Sequence, residues 1–92
     1  MTDHEFEEDT LRALADEGNE TALDRLADLY DARDDLDALS ELLDEGSENA
    51  GRLLTRRAVA NRDLRELQRL ADAGSDEAGP ELERFLREAH RR

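Results

Sequence analysis

The residues with the clearest chemical potential are six arginines in the second half of the chain: Arg52, Arg56 and Arg57, then Arg62, Arg65 and Arg69. A guanidinium offers a planar fork of donors that matches carboxylate and phosphate groups. Two uses are open. The six can form ion pairs with Glu48, Asp63, Glu66 and the acids of neighbouring segments. Alternatively they form a basic stripe for an acidic partner, or for the acidic half of another copy. The contrast along the chain is sharp, because residues 1–51 hold 18 acids against 3 Arg while residues 52–92 hold 8 acids against 10 Arg.

Other chemistry is sparsely provided for. His4 and His90 lie near opposite ends of the chain, and a zinc or catalytic role would need them joined by acids in one pocket. Carboxylates are so numerous that no pair is diagnostic. Asp34-Asp35-x-Asp37 comes nearest to a divalent-cation loop, but it lacks the glycine such loops turn on. No Ser or Thr has a base at a telling spacing. Without Cys there are no disulfides and no thiolate metal sites. The residues therefore predict no catalytic site, no metal and no cofactor.

Composition sets the class. Sixteen Leu and thirteen Ala stand beside one Val, no Ile and no Trp. β-Branched and aromatic residues build strands, whereas Leu, Ala, Glu and Arg favour helices. An all-α protein follows, and 92 residues fit a single domain, 1–92. The net charge is −13, and all 13 basic residues are Arg. That surplus argues against nucleic acid or an anionic membrane as a partner of the whole surface. Abundant Asp and Glu with no Lys resembles the composition bias of haloarchaeal proteins, and molar salt would screen the self-repulsion. No apolar stretch reaches the roughly 20 residues of a membrane span. Met1-Thr2-Asp3-His4-Glu5 lacks the basic and apolar parts of a signal peptide, so the expected location is cytoplasmic.

These residues must be positioned by a recurring element. Gly18, Gly46 and Gly74 are 28 apart, twice, inside matching runs. The runs are Leu11-x-x-Leu14-Ala15-Asp16-Glu17-Gly18-Asn19, Leu39-x-x-Leu42-Leu43-Asp44-Glu45-Gly46-Ser47 and Leu67-x-x-Leu70-Ala71-Asp72-Ala73-Gly74-Ser75. Self-similarity at this period signals tandem supersecondary units. Each unit reads as two helices. The first carries a Leu stripe, clearest in Leu36, Leu39, Leu42 and Leu43 and repeated in Leu64, Leu67, Leu70 and Ala71. Glycine ends it, and Asn19, Ser47 or Ser75 can cap the next. The second helix is expected to bury Ala22, Leu26, Leu29 and Tyr30; then Ala50, Leu53, Leu54 and Ala58; then Ala78, Leu82, Phe85 and Leu86. Asp35 and Asp63 stand where N-caps belong.

Helices are predicted over 4–17, 20–32, 35–45, 48–61, 63–73 and 76–90, in units 4–33, 34–61 and 62–90. Short links imply antiparallel neighbours. The expected architecture is three tandem antiparallel helix pairs stacked as a short right-handed α-solenoid. Pro80 leaves two options for the last helix. It either starts at Pro80 or follows a short turn over 76–79.

The run from Leu14 to Tyr30, with its Gly18-Asn19 turn, Ala22 and the Leu26-x-x-Leu29-Tyr30 face, resembles the tetratricopeptide and Sel1-like repeat superfamily. Those families use about 34 to 40 residues per repeat. HEAT-like repeats are a second, looser resemblance. Both imply an α-solenoid with a protein-binding habit, and neither carries a binding residue across. The expected function is a non-enzymatic protein-interaction module, with homodimerisation a further expectation because a thin array leaves its ends bare. The alternative is a nucleic-acid-associated regulator using the Arg-rich fourth and fifth helices.

Overall fold

The computed structural model describes the backbone of residues 3–90 and the side chains from Glu8 to His90. Six helices make up the described chain: α1 (Asp3–Asp16), α2 (Glu20–Ala32), α3 (Leu36–Asp44), α4 (Glu48–Ala60), α5 (Leu64–Asp72) and α6 (Ala78–His90). No strand occurs among the described residues.

Local chemistry explains where helices start and stop. Gly18, Gly46 and Gly74 take φ of 96°, 102° and 104°, the left-handed region in which a Cβ is costly. Each closes an odd-numbered helix. Asn19 and Ser47 then accept from Ala22 N at 3.0 Å and Ala50 N at 3.1 Å. Asp35 and Asp63 do the same for Ala38 N and Glu66 N, at 3.1 and 3.0 Å. Each cap satisfies a first-turn N–H that has no partner within its own helix. The links after α2 and α4 turn without glycine, on Asp34 and Arg62 at φ 56° and 52°.

The last helix begins two residues later than the cap pattern predicts. A turn occupies residues 76–77, and α6 starts at Ala78 with Pro80 in its first turn. There the missing N–H of proline removes no helical hydrogen bond.

Each odd helix packs on the even helix that follows it, and the even helices pack in series, α2 on α4 and α4 on α6. The odd helix of each later pair also touches the even helix before it, α3 on α2 and α5 on α4. Leu26, Leu39, Leu42, Leu67 and Leu70 are fully buried, with Leu54 and Tyr30 nearly so. Ala22, Ala27, Ala50, Ala58 and Ala78 fill the close approaches. Each buried Leu contributes roughly 1.5–3 kcal/mol. An exposed ion pair contributes about 0–1 kcal/mol. The Leu and Ala stripes therefore hold the fold, despite the density of charge.

Several expected core positions are not core. Leu36 and Leu64 are 44% and 41% exposed. Each is the first residue after its N-cap, and a helical side chain leans back toward the N-terminus. These two therefore project past the packed end of the helix. Leu86 is 48% exposed, and Leu29, Leu53, Leu82 and Phe85 are half-buried.

Candidate interaction surface

The polar groups of α4 meet α2 along one line. Ser47 Oγ donates to Asp24 Oδ1 at 3.1 Å while it caps α4. Asn49, buried, donates from Nδ2 to the Asp24 carbonyl and to Asp28 Oδ1, both at 2.8 Å. Its Oδ1 accepts from Arg52 Nη2 at 2.6 Å. Two turns further along α4, Arg57 donates from Nε to Asp31 Oδ1 at 2.7 Å. Its Nη2 reaches the Asp31 carbonyl at 2.8 Å and Asp34 Oδ1 at 2.7 Å. Hydrogen bonds from Asp31 and then Asp34 raise the Arg57 pKa above its ordinary value. Residues 49 and 57 share a face because eight residues complete about two helical turns. We call this contact the first junction.

The second junction lies 28 residues on and is built from different groups. Ser75 Oγ lies 3.0 Å from Thr55 Oγ1 and 3.4 Å from the Gly51 carbonyl oxygen, all in the interior. Gly51 permits that approach, since a Cβ there would stand 3.1 Å from Leu43 Cδ1 and 3.3 Å from Ser75 Oγ. At the position equivalent to Arg57 stands Phe85, with Arg62 over its ring at 5.2 Å and Arg84 at 5.6 Å. Phe85 borders a cleft with Arg62, Leu64, Glu88 and Ala89, and a separate cleft of about 330 Å³ is bordered by Thr55, Arg56, Val59, Ala60, Glu77 and Glu81.

The six arginines singled out from the sequence have different partners. Arg52 and Arg57 serve the first junction. Arg69 pairs with Glu66 and reaches Ser40 Oγ on α3 at 3.2 Å, and the Glu66 hydrogen bond raises its pKa. Arg62 covers Phe85 and stands 3.8 Å from Glu88. Arg56 and Arg65 are exposed, with no ion pair among the described residues.

The acids near the Asp34-Asp35-x-Asp37 run also have structural partners. Asp34 accepts from Arg57, and Asp35 caps α3. Glu45 sits at a helix C-terminus, where the dipole opposes it, and it receives Arg12 from α1 at 3.1 Å. Burial works against the charge on Arg12, but Glu45 and Tyr30 together outweigh it through hydrogen bonding and charge, so the Arg12 pKa is raised. His90 is exposed on α6, and the His4 side chain lies outside the described residues.

Three polar contacts escaped the sequence reading, those of Asn49, of Thr55 and of Ser47 in its second role. Ser75, expected to cap the last helix, instead turns its hydroxyl to Thr55 and Gly51 because α6 starts only at Ala78. The available signal was a polar residue beside apolar stripe positions, Asn49 before Ala50 and Thr55 after Leu54. All their buried polar atoms find partners, and no buried side-chain N or O among the described residues is left without one. What remains for solvent is carboxylate-rich, with Leu36 and Leu64 presented 28 residues apart. No helix among the described residues is long and apolar enough to cross a membrane. No protein-family model, no curated protein and no solved structure matches the chain.

Proposed function

We propose that the protein is a helical-repeat interaction module: three antiparallel pairs, stacked as a short right-handed α-solenoid, that present an elongated surface to a protein partner. The observation that carries this reading is the shape. The even helices pack in series, and the molecule measures 53 × 25 × 16 Å. A thin stacked array buries little volume and offers much surface, which is the geometry solenoids use to bind extended partners.

The docking edge carries Leu36 and Leu64. These two large apolar side chains recur at the same place in successive pairs and are among the few exposed leucines. The acid surplus supports a partner that bears basic groups around an apolar centre, and a working environment of molar salt that screens the rest of the surface. The module acts by binding, without a cofactor or catalytic step of its own.

The test is affinity capture in molar salt, comparing the wild type with the Leu36→Glu, Leu64→Glu double variant. A partner held by the wild type and lost by the variant, with nuclease treatment making no difference, supports the reading. Partners that all disappear on nuclease treatment overturn it in favour of nucleic acid. Loss after Arg56→Ala with Arg65→Ala, rather than after the leucine changes, would point the same way.

A further inference from the structure

Positions 28 residues apart occupy equivalent places, so the interior shows what each end lacks. Leu14 is 38% exposed, while Leu42 and Leu70, its counterparts in the later pairs, are both 0% exposed. Leu86 is 48% exposed, while Tyr30 and Ala58, its counterparts in the earlier pairs, are 8% and 3% exposed. Inside the molecule the cover comes from the neighbouring pair: α3 and α4 lie on α2, and α5 and α6 lie on α4. Nothing precedes α1–α2 or follows α5–α6 within the described residues. The two bare faces are thus the two halves of a contact the chain already makes twice.

We propose that the occupant of each end is a second copy of this chain, seated head to tail: the α6 face bearing Leu86 covers the α1–α2 face bearing Leu14 of the next molecule. This rests on the stacked reading of the three pairs given above. Two observations favour a second copy in this direction. The first is continuity, because the new contact would reproduce the placement of the internal junctions. The second is charge. Residues 1–51 carry 18 acids against 3 Arg, and residues 52–92 carry 8 acids against 10 Arg. Head-to-head contact would press two strongly acidic halves together. Head-to-tail contact avoids that, because residues 52–92 carry no acid surplus and on α6 Glu81, Glu83 and Glu88 stand beside Arg84 and Arg87. Such a contact is heterologous and does not close on itself, so molecules add in a row.

The chain has no cysteine, which makes the test direct. Leu14→Cys and Leu86→Cys variants are made separately, mixed at molar salt and treated with a short bismaleimide. A cross-linked species containing one chain of each variant is expected, with either variant alone remaining uncoupled. In sedimentation the wild-type mass should rise from one chain to two and more with concentration. Leu86→Glu should remain one chain with an unchanged circular-dichroism melt, since position 86 is largely exposed. A wild type that sediments as one chain at every concentration overturns the proposal, and so does coupling of Leu86→Cys to itself. A separate variant, Ser40→Cys with Arg69→Cys, treated with a bismaleimide long enough to replace the reach of the arginine, reports on stacking within one molecule, where the Arg69 guanidinium extends to Ser40 Oγ at 3.2 Å. Intrachain coupling there, with no end-to-end coupling, removes self-association and leaves the stacked reading standing. Failure of the intrachain coupling removes both.

Discussion

The two junctions join successive even helices, α2 to α4 and α4 to α6, with different chemistry. At the first, Asp24, Asp28, Asp31 and Asp34 face Ser47, Asn49 and Arg57, and the contact is a ladder of charge-assisted hydrogen bonds. At the second, Gly51, Thr55 and Arg62 face Ser75 and Phe85, and the contact is a close backbone approach, one buried hydroxyl pair and an aromatic ring with two guanidiniums close to it. A helix-on-helix contact specifies where side chains meet and leaves open what they are. Salt should distinguish the two, since exposed charges are screened within a Debye length of about 3 Å at 1 M while packed apolar contacts are not.

The largest expected effect tests the packed side. Gly51→Val adds atoms where even a Cβ meets Leu43 Cδ1 at 3.1 Å. Overpacking of this kind costs on the order of 3 kcal/mol. Thermal melting should show the loss, equal at low and high salt, and an unchanged melting temperature would mean that the second junction is loose. Phe85→Ala comes next. Full burial of a Phe would put the cost at about 3–5 kcal/mol, and for a half-buried ring roughly 2 kcal/mol is expected, again with little salt dependence.

Asn49→Leu removes the buried donor that holds Asp24 and Asp28. Leaving those acceptors without it should cost about 1–2 kcal/mol by chemical denaturation. Thr55→Ala copies the residue found at the equivalent position, Ala27, and deprives Ser75 of its hydroxyl partner. It should cost about 1 kcal/mol.

The smallest effect at molar salt is Arg57→Ala. Its signature is the slope: destabilisation should grow steadily as salt is withdrawn, because Asp31 and Asp34 then face each other and the acidic half without their cation. A salt-independent loss would show that Arg57 acts through packing of its stem, and the contrast between the junctions would collapse.

Residues that govern the local backbone were legible in the sequence. Gly18, Gly46 and Gly74, together with Asn19, Asp35, Ser47 and Asp63, announce their roles through their own conformational and hydrogen-bonding preferences. The stripe residues Leu39, Leu42, Leu67 and Leu70 were legible through periodicity. The junctions were not. Whether Arg57 meets Asp31 or Asp63 depends on the rotation and rise of one pair on the next, and no spacing within a helix encodes that. Asn49 and Thr55 were passed over because polarity at a stripe position reads as exposure until a partner from another helix is in view. Leu36 and Leu64 were misplaced because a helical wheel treats every turn alike, whereas the first residue of a helix overhangs its end.

The grip of Arg57 on the main-chain oxygen of Asp31 has one more consequence. The last turn of α2 contains no basic residue of its own. Its terminal carbonyls, where partial negative charge gathers, receive their cation from a side chain 26 positions downstream. The turn is closed locally, since the amides of Arg33, Asp34 and Asp35 donate to the carbonyls of Leu29, Asp31 and Tyr30, but during synthesis, when the N-terminal portion emerges first, it lacks that cation until α4 has been made. The first pair is therefore completed by the second, and a truncation before residue 57 should leave α2 open to proteases at its C-terminal end.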